Sequence, residues 1–408
     1  KIKINNSNDF IFKFMKEIVI LKILNYLIKY KIMKSALISF SVIVTIIILL
    51  YLSPIGYVIP GVFKIYGTGH TTAFLDDYKI FDNLIVKNGS IKTKWNHHNL
   101  YNQIPLSKEF DSINMKYKTV AYLIFHKDSL LHESYYLGHN SKSKSNSFSM
   151  AKSMVTAMLG KAIEQGYISS LDQKVSDFYD EFSQGVASKL TVGDLASMSS
   201  GLDWTEKYYS PINITTESYF TKDLEKLLLS RKIAGQPGKS FKYLSGNTQL
   251  LGMVIRKATG KSLSDYFSKN FWIPIEAEEE ALWQIDGKKN QMEKAFCCFA
   301  SNAKDFARFA KLFKNKGRWN GQQIIDSSFV NLSLNPRFEN SPNYGYGWWL
   351  LNRNNEKGFL MRGHLGQYVI VFPKSDLIIV RLGHKKGPKN EGYYIDEAFK
   401  MISYVKEH

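Results

Sequence analysis

The chain has little cysteine, and this argues against both a disulfide framework and a cysteine metal site. Only Cys297 and Cys298 occur among 408 residues. Adjacent cysteines rarely bridge, because disulfide geometry needs a separation that their shared peptide resists. The neighbours His97 and His98 have no acidic or cysteine partner at ligand spacing, so a solvated pair is the better interpretation. We therefore predict no disulfide framework, no metal and no cofactor.

A dense run of basic residues interleaved with aromatics is also missing outside the N-terminus. The net charge is +18, from 54 basic and 36 acidic residues, and residues 1–35 hold eight lysines against two acidic residues. Such a balance permits contact with anionic lipid, wall polymers or nucleic acid. Because no nucleic-acid-binding signature accompanies the charge, we interpret it as a generally basic surface and predict no nucleic-acid partner.

An apolar run without any charge extends from Ala36 to Leu52. At about 1.5 Å per residue, a helix of this length is near the short limit for crossing a hydrocarbon core of about 30 Å. Lysines precede the run and no small-x-small cleavage site follows it, which favours an uncleaved anchor over a removed signal peptide. The positive-inside rule then predicts a cytoplasmic N-terminus and an extracytoplasmic (periplasmic or extracellular) remainder. A buried strand or core helix is the weaker alternative.

Residues 1–35 form a basic segment that permits two interpretations. The chain opens with Lys1, and Met33 before the apolar run resembles a natural start. Residues 1–32 would then be a fragment of a longer product or of upstream translation. Alternatively they are native, and Phe10 to Ile32 form an interfacial amphipathic helix. We make no structural prediction for the juxtamembrane region, residues 53–91, and expect the soluble domain at residues 92–408.

The pattern at the start of the soluble part predicts a strand hairpin and then a helix. Apolar and polar residues alternate from Thr119 and break at Lys127 to Ser129, as in two strands joined by a turn. After Ser149, apolar residues recur at helical spacing until Gly166, which makes a plausible stop.

The rest of the chain predicts an α+β fold. Residues 166–330 are mostly helical in pattern, residues 344–383 return to strand-like composition, and residues 393–405 close as a helix. Strands at both ends with helices between them suggest a mixed lobe whose sheet is completed by distant segments, with an inserted helical lobe at about 166–330. Trp348 and Trp349 are expected to be one core residue and one cleft-wall residue.

The tetrapeptide Ser149-Met150-Ala151-Lys152 is the first chemical signal. Residues i and i+3 share a helix face, so the lysine amine can lie beside the serine hydroxyl. A buried lysine can accept the serine proton because burial disfavours its charged form. Free N–H groups at a helix start also favour the oxyanion that forms during attack. An isolated copy of this motif is more often a capping serine followed by a solvated lysine.

Three motifs in order resemble the serine β-lactamase and penicillin-binding protein superfamily, specifically its class C-like esterases, D-aminopeptidases and 6-aminohexanoate-dimer hydrolases. The resemblance covers about residues 115–405. It is carried by SMAK at 149–152, FKYLSGNTQLLG at 241–252 and RGHLGQ at 362–367. It implies a β-lactamase-like mixed lobe, an antiparallel sheet flanked by helices, with the helical lobe inserted.

The resemblance also implies roles for individual residues. Ser149 would be the nucleophile and Lys152 its base. Tyr243 matches the tyrosine of the family's Tyr-x-Asn element, which relays a proton to the leaving group. The third position of that element is Ser245, so the amide that normally orients the substrate is missing, and either this hydroxyl or Asn247 would replace part of its role.

The third family element, usually Lys-Thr-Gly, is present as His364-Leu365-Gly366, a variant found in the esterase-like branch. The resemblance implies that Gly366 lets the substrate lie against the strand, and that the N–H groups of Ser149 and Gln367 form the oxyanion hole. Outside the resemblance, Tyr243 would be read as a packed aromatic and His364 as a turn residue.

The sequence therefore predicts a membrane-anchored serine hydrolase for a short amide, ester or peptide substrate. The alternative is a non-catalytic or weakly acylating receptor for peptidoglycan or β-lactams. Retention of the serine, the lysine and the tyrosine argues against it, because a binding protein has no need of all three.

Overall fold

The computed structural model describes residues 7–53, 55–353 and 355–407. Residues 1–6, with the first two lysines of the basic segment, lie outside the described residues. The chain divides into two compact units, and the boundary between them falls between Phe63 and Lys64.

The first unit contains one long helix, α1 (Ser7–Leu52). Its 46 residues correspond to roughly 70 Å of helix at about 1.5 Å per residue. The part Phe10–Leu52 is long and apolar enough to cross a membrane, as an anchor or a signal sequence would be. The predicted interfacial helix and the predicted span are continuous, because neither proline nor glycine interrupts residues 7–52.

Helices and strands alternate irregularly through the rest of the chain. The further helices are α2 (Val58–Tyr66), α3 (Lys108–Lys116), α4 (Ala151–Glu164), α5 (Val192–Ala196), α6 (Ile214–Phe220), α7 (Leu224–Leu229), α8 (Ser245–Thr259), α9 (Leu263–Phe267), α10 (Ala303–Lys314), α11 (Ser327–Ser333) and α12 (Gly392–Glu407). The strands are β1 (Asn83–Val86), β2 (Thr119–His126), β3 (Ser129–Tyr135), β4 (Ser145–Asn146), β5 (Ala281–Gln284), β6 (Phe299–Ser301), β7 (Arg318–Trp319), β8 (Gln322–Gln323), β9 (Trp349–Arg353), β10 (Glu356–Gly363), β11 (Gln367–Phe372) and β12 (Leu377–Gly383).

The strands form a large and a small antiparallel sheet. The large sheet has the order β3-β2-β12-β11-β10-β9, the small one β1-β5-β6-β4, and β7 pairs with β8. In the large sheet Ile124 of β2 lies opposite Ile379 of β12, so segments far apart in sequence complete it, as predicted. The predicted hairpin is confirmed as β2 and β3, and Lys127 and Asp128 form its turn with positive φ angles.

Both faces of the large sheet are buried under helices. On β2, Leu123 and Phe125 join the apolar cluster that contains α10, whereas Tyr122 and Ile124 join the cluster that contains α12. The predicted alternation of apolar and polar residues is wrong for β2, because all eight of its residues are buried and the strand is a nearly continuous apolar run. The layered arrangement is the predicted α+β fold with an antiparallel sheet flanked by helices.

Residues 166–330 contain strands as well as the predicted helices. β5 and β6 lie within this range, and β5 pairs with β1. β1 belongs to the region 53–91 for which the sequence predicted no structure, and the second unit already begins at Lys64. The domain boundary at residue 92 and the extent of the helical lobe remain predictions.

The expectation that Cys297 and Cys298 stay unbridged is wrong, because the structure joins them in a disulfide. Consecutive side chains of an extended strand point to opposite faces, which would keep the two sulfur atoms apart. Here Cys298 has a φ of 72°, and this turn brings both side chains to the same side.

Candidate active site

The Ser-x-x-Lys tetrapeptide lies where a tight turn enters α4. Phe148–Met150 form a single 3-10 turn, and the α-helix continues from Ala151. Phe148 and Met150 are buried in the core, whereas Ser149 between them is half-buried. The buried neighbours anchor the turn, so the serine sits at the helix start as predicted, with its side chain partly accessible.

Lys152 lies one helical turn beyond the serine and is buried, with 2% of its surface exposed. Its Nζ is 2.9 Å from Ser149 Oγ and 2.8 Å from the carbonyl oxygen of Phe296. Burial lowers the pKa of Lys152 to about 8, and the negative charge of Glu206 acts in the opposite direction. The lysine is therefore held against the serine hydroxyl in surroundings that destabilise its charged form.

Tyr243 completes a group of three side chains around the serine hydroxyl. Burial raises the pKa of the Tyr243 hydroxyl, and a hydrogen bond to Ser149 acts in the opposite direction. The Nζ of Lys152 lies 5.2 Å from the centre of the Tyr243 ring. The Trp349 ring stacks on the Tyr243 ring, with 5.4 Å between the ring centres. Trp348 is fully buried, so one of the two tryptophans lies in the core and the other beside Tyr243, as predicted.

Ser245 does not point freely into the site, because it is bound to Glu206. Its hydroxyl donates to Glu206 Oε2 at 3.1 Å, and its backbone N–H donates to Oε1 of the same carboxylate. Asn247, the alternative substitute for the missing amide, is fully buried and accepts a hydrogen bond from Ser200. Both candidate side chains are thus hydrogen-bonded within the protein, Ser245 to Glu206 and Asn247 to Ser200.

The segment His364–Gly366 forms the turn between β10 and β11 and lies beside the turn that carries Ser149. A Cβ on Gly363 would come within 2.3 Å of the Ser147 carbonyl oxygen, so only glycine permits this approach. The His364 ring meets that of Phe148 edge to face at 5.5 Å and stacks with Tyr208 at 5.5 Å. Burial, with a smaller effect of Lys386, lowers the pKa of His364 to about 4, so the imidazole is neutral at pH 7.

Gly366 and Gln367 hold the other end of this turn. Gly366 has a φ of 84°, and its carbonyl oxygen accepts a hydrogen bond of 2.7 Å from Arg381. The amide side chain of Gln367 binds the backbone of Gly383 through both its nitrogen and its oxygen. The side chain of Gln367 is thus hydrogen-bonded to β12, and its backbone N–H is the group that could contribute to an oxyanion hole.

Within the described ranges, no group of three histidine, cysteine or acidic residues is arranged to hold a metal ion. His97 stacks on Tyr101 and forms a bridge with Leu130 in a different part of the unit.

The fold and the site define a member of the beta-lactamase family, and the chain belongs to it: the family model named Beta-lactamase matches residues 114–398. Members of this family are serine hydrolases with a mixed α+β fold.

The chain is also similar in sequence to two curated proteins. The chain is similar to the 6-aminohexanoate-dimer hydrolase of Paenarthrobacter ureafaciens, with 22% identity over 300 residues, 68% of this chain and 75% of the relative. It is also similar to protein flp of Staphylococcus aureus strain N315, with 20% identity over 258 residues and 55% of this chain covered. That match spans 49% of the relative, about half its length.

Solved structures share the fold. A Bacillus anthracis protein, named provisionally as a 6-aminohexanoate-dimer hydrolase, superposes with a TM-score of 0.72 at 22% identity, over 82% of this chain and 94% of its own. FmtA of Staphylococcus aureus gives a TM-score of 0.56 at 16% identity, over 76% of this chain and 92% of its own. At these identities the likeness shows the fold alone.

Sequence reasoning missed two residues that the structure brings to the site. Glu206 acts on Lys152 and holds Ser245, and Tyr208 stacks on His364. Both lie just after Trp204 in a polar stretch without periodicity or motif. No local signal distinguishes them, because their partners are far away in the sequence.

Proposed function

We propose that the protein is a serine hydrolase that forms an acyl-enzyme on Ser149 and releases the acyl group to water. The observation that carries this proposal is the 2.9 Å contact between the buried Lys152 Nζ and Ser149 Oγ. With a pKa of about 8, roughly a tenth of the lysine side chains are neutral at pH 7 and able to accept the serine proton.

The acylation step follows from the three side chains. Ser149 Oγ attacks the substrate carbonyl while its proton passes to the neutral amine of Lys152. Tyr243, whose raised pKa keeps its hydroxyl protonated, donates to the leaving amine or alcohol and is reprotonated from Lys152. Water then attacks the acyl ester, which releases the acid and restores the serine. The N–H groups of Ser149 and Gln367 are proposed to bind the oxyanion.

A short uncharged amide, ester or peptide is the proposed substrate class. The third family element presents His364, which is neutral at pH 7, where typical β-lactamases present a cation. Ser245 is bound to Glu206 and supplies no amide to the pocket. Both departures weaken the recognition of an anionic β-lactam. The name of the Paenarthrobacter relative describes hydrolysis of an amide dimer, which agrees with this class.

A receptor that binds peptidoglycan or β-lactams without turnover is the second candidate. It would need a pocket but not a base whose pKa is lowered toward neutrality beside a nucleophile. The arrangement of Lys152 between Ser149 and the Phe296 carbonyl favours an enzyme.

We further propose that α1 anchors the enzyme in a membrane through residues 36–52, with residues 92–408 on the extracytoplasmic side. Length and composition of the helix support a span, and the lysines before Ala36 support this orientation.

Turnover of p-nitrophenyl acetate by full-length protein in detergent tests the proposed activity. Ser149→Ala is expected to abolish hydrolysis and to leave folding intact, because loss of a hydroxyl at a helix start costs about 1 kcal/mol. Ser153→Ala is the matched control, since Ser153 lies on the same helix and donates to Gly347 instead. If Ser149→Ala hydrolyses the ester as fast as wild type and Ser153→Ala, the mechanism is refuted.

A further inference from the structure

A buried carboxylate from the segment before the matched family domain reaches the region under the catalytic turn. Asp77 is fully buried and belongs to the same unit as the site. Its Oδ1 accepts hydrogen bonds from Asn146 Nδ2 at 2.9 Å and Gln284 Nε2 at 2.7 Å. Its Oδ2 accepts from the hydroxyl of Tyr219 and from the backbone N–H of Phe74. Burial raises the pKa of Asp77, while the hydrogen bonds of Tyr219, Asn146 and Gln284 and the charge of Lys294 act in the opposite direction. All four hydrogen-bond partners donate to its oxygens, the arrangement that suits a carboxylate, which only accepts.

The contact with Asn146 leads directly to the catalytic serine. Because the Asp77 carboxylate accepts, the Nδ2 of Asn146 must face it, and the Oδ1 of the same amide faces the other way. This Oδ1 accepts a hydrogen bond of 2.8 Å from the backbone N–H of Phe148, the residue before Ser149. Phe148 has a φ of 46°, in the left-handed region that an L-residue rarely adopts without support. The orientation of one amide thus connects Asp77 to the turn that presents the nucleophile.

Lys294 faces this buried cluster, where burial lowers the pKa of its amine to about 7 and the charge of Asp77 acts in the opposite direction. It is 1% exposed, and its Nζ lies 3.4 Å from Gln284 Oε1, so Gln284 bridges the lysine and Asp77. A buried charge is strongly unfavourable unless an opposite charge or hydrogen bonds compensate it. The carbonyl oxygen of Lys294 accepts from the backbone N–H of Cys297, next to Phe296, whose own carbonyl receives Lys152. The cluster therefore contacts the residue before Ser149 and the residue after Phe296, whose carbonyl binds Lys152.

We propose that Asp77 is a positioning residue for Ser149, which acts through Asn146 on the Phe148 turn and is balanced by Lys294. The proposal rests on the proposed role of Ser149 as nucleophile. Asp77 does not contact the serine or the lysine, so its loss is expected to slow the attack by the serine and to leave substrate binding nearly unchanged.

The test measures how fast a fluorophosphonate probe labels Ser149 in full-length protein, together with the fraction of protein that can be labelled. Asp77→Ala and Asn146→Ala are each expected to slow labelling about 10- to 100-fold, the effect of a small misalignment of reacting groups. The double variant should be no slower than the slower single variant, because both act along one path. Asp76→Asn is the matched control, since Asp76 is the adjacent carboxylate, is partly exposed and pairs with Lys79.

A purely structural role for Asp77 predicts a different result. The labelled fraction would fall with the loss of folded protein, while the rate constant of the remaining molecules would equal that of wild type. That outcome, or additive effects in the double variant, would overturn the proposal. A rise in KM for p-nitrophenyl acetate without a fall in kcat would also contradict it.

Amide hydrogen exchange of the peptide around Phe148 provides a readout that does not depend on activity. Asp77→Ala is expected to accelerate exchange there at least about tenfold, with β11 as the internal reference and Asp76→Asn unchanged. If wild-type protein is not labelled at all, the proposed function fails, and the exchange result alone decides the role of Asp77. If Asp77→Ala does not fold, Asp77→Asn, which keeps the shape but loses the charge, replaces it, and unchanged exchange in that variant overturns the proposal.

Discussion

The carboxylate of Glu206 accepts two hydrogen bonds from Ser245, one from its hydroxyl at 3.1 Å and one from its backbone N–H. Ser245 is the first residue of α8, and the N-cap residue Leu244 provides no side-chain cap. Glu206 therefore caps this helix from a loop 39 residues away in sequence. The same negative charge raises the pKa of Lys152, so one side chain both binds Ser245 and acts on the proposed base.

The pH dependence of catalysis should report this effect on Lys152. If neutral Lys152 is the base, kcat/KM for p-nitrophenyl acetate should rise with pH through an ionisation near 8. Glu206→Gln removes a charge that raises the pKa of Lys152, so the inflection should move to lower pH. Glu217→Gln, on α6 and without an effect on the pKa of Lys152, is the control. An inflection that stays in place or moves to higher pH in Glu206→Gln would contradict this role.

Tyr243→Phe should lower kcat while the protein remains folded. Proton transfer by a positioned side chain typically contributes about 10²- to 10⁴-fold, and the phenylalanine ring preserves the stacking on Trp349. Tyr344→Phe is a close control, because Tyr344 meets Tyr243 edge to face and its hydroxyl has no hydrogen-bond partner within the described part of the chain. Equal kcat values for the two variants, measured with the same ester, would remove Tyr243 from the proposed relay.

Substrate preference should follow the neutral His364. We expect kcat/KM for p-nitrophenyl acetate to exceed that for a cephalosporin about tenfold or more, because no cation at this position binds the carboxylate of the antibiotic. The preference should change little between pH 6 and 8, since the pKa of His364 is lowered to about 4. His364→Lys should shift the ratio toward the cephalosporin. Efficient steady-state cephalosporin hydrolysis by wild type, with short esters untouched, would refute this substrate class.

Membrane attachment can be tested by fractionation. The protein is expected to sediment with membranes, and a reporter fused at His408 should be active only outside the cytoplasm. Ile47→Asp places a charge within the apolar run at a cost of about 2.5 to 3.5 kcal/mol in the middle of a membrane span and should weaken the attachment. A reporter active only in the cytoplasm would refute the proposed orientation.

Local patterns were sufficient to predict much of the fold. The helix after Ser149 follows from its helical periodicity, the hairpin β2–β3 from two apolar runs separated by a polar turn, and the strand β12 from its β-branched composition. The Ser-x-x-Lys spacing likewise predicted the contact between Ser149 and Lys152, because helix geometry alone brings residues three apart together.

The remaining features depend on contacts between distant segments, which no local pattern encodes. Glu206 binds a residue 39 positions away, and Asp77 binds Asn146 across 69 positions. The bridge between Cys297 and Cys298 depends on a backbone turn with a φ of 72° at Cys298, which composition does not reveal.

Labelling with a fluorophosphonate probe, followed by peptide mapping, tests the central claim most directly. A probe of this class reacts with an activated serine nucleophile and forms a stable covalent adduct. We predict one adduct per chain, located on Ser149, with no labelling of Ser149→Ala and greatly slowed labelling of Lys152→Ala. An unlabelled wild-type protein, an adduct on another residue, or undiminished labelling of Lys152→Ala would contradict the assignment of Ser149 and Lys152 as the catalytic pair.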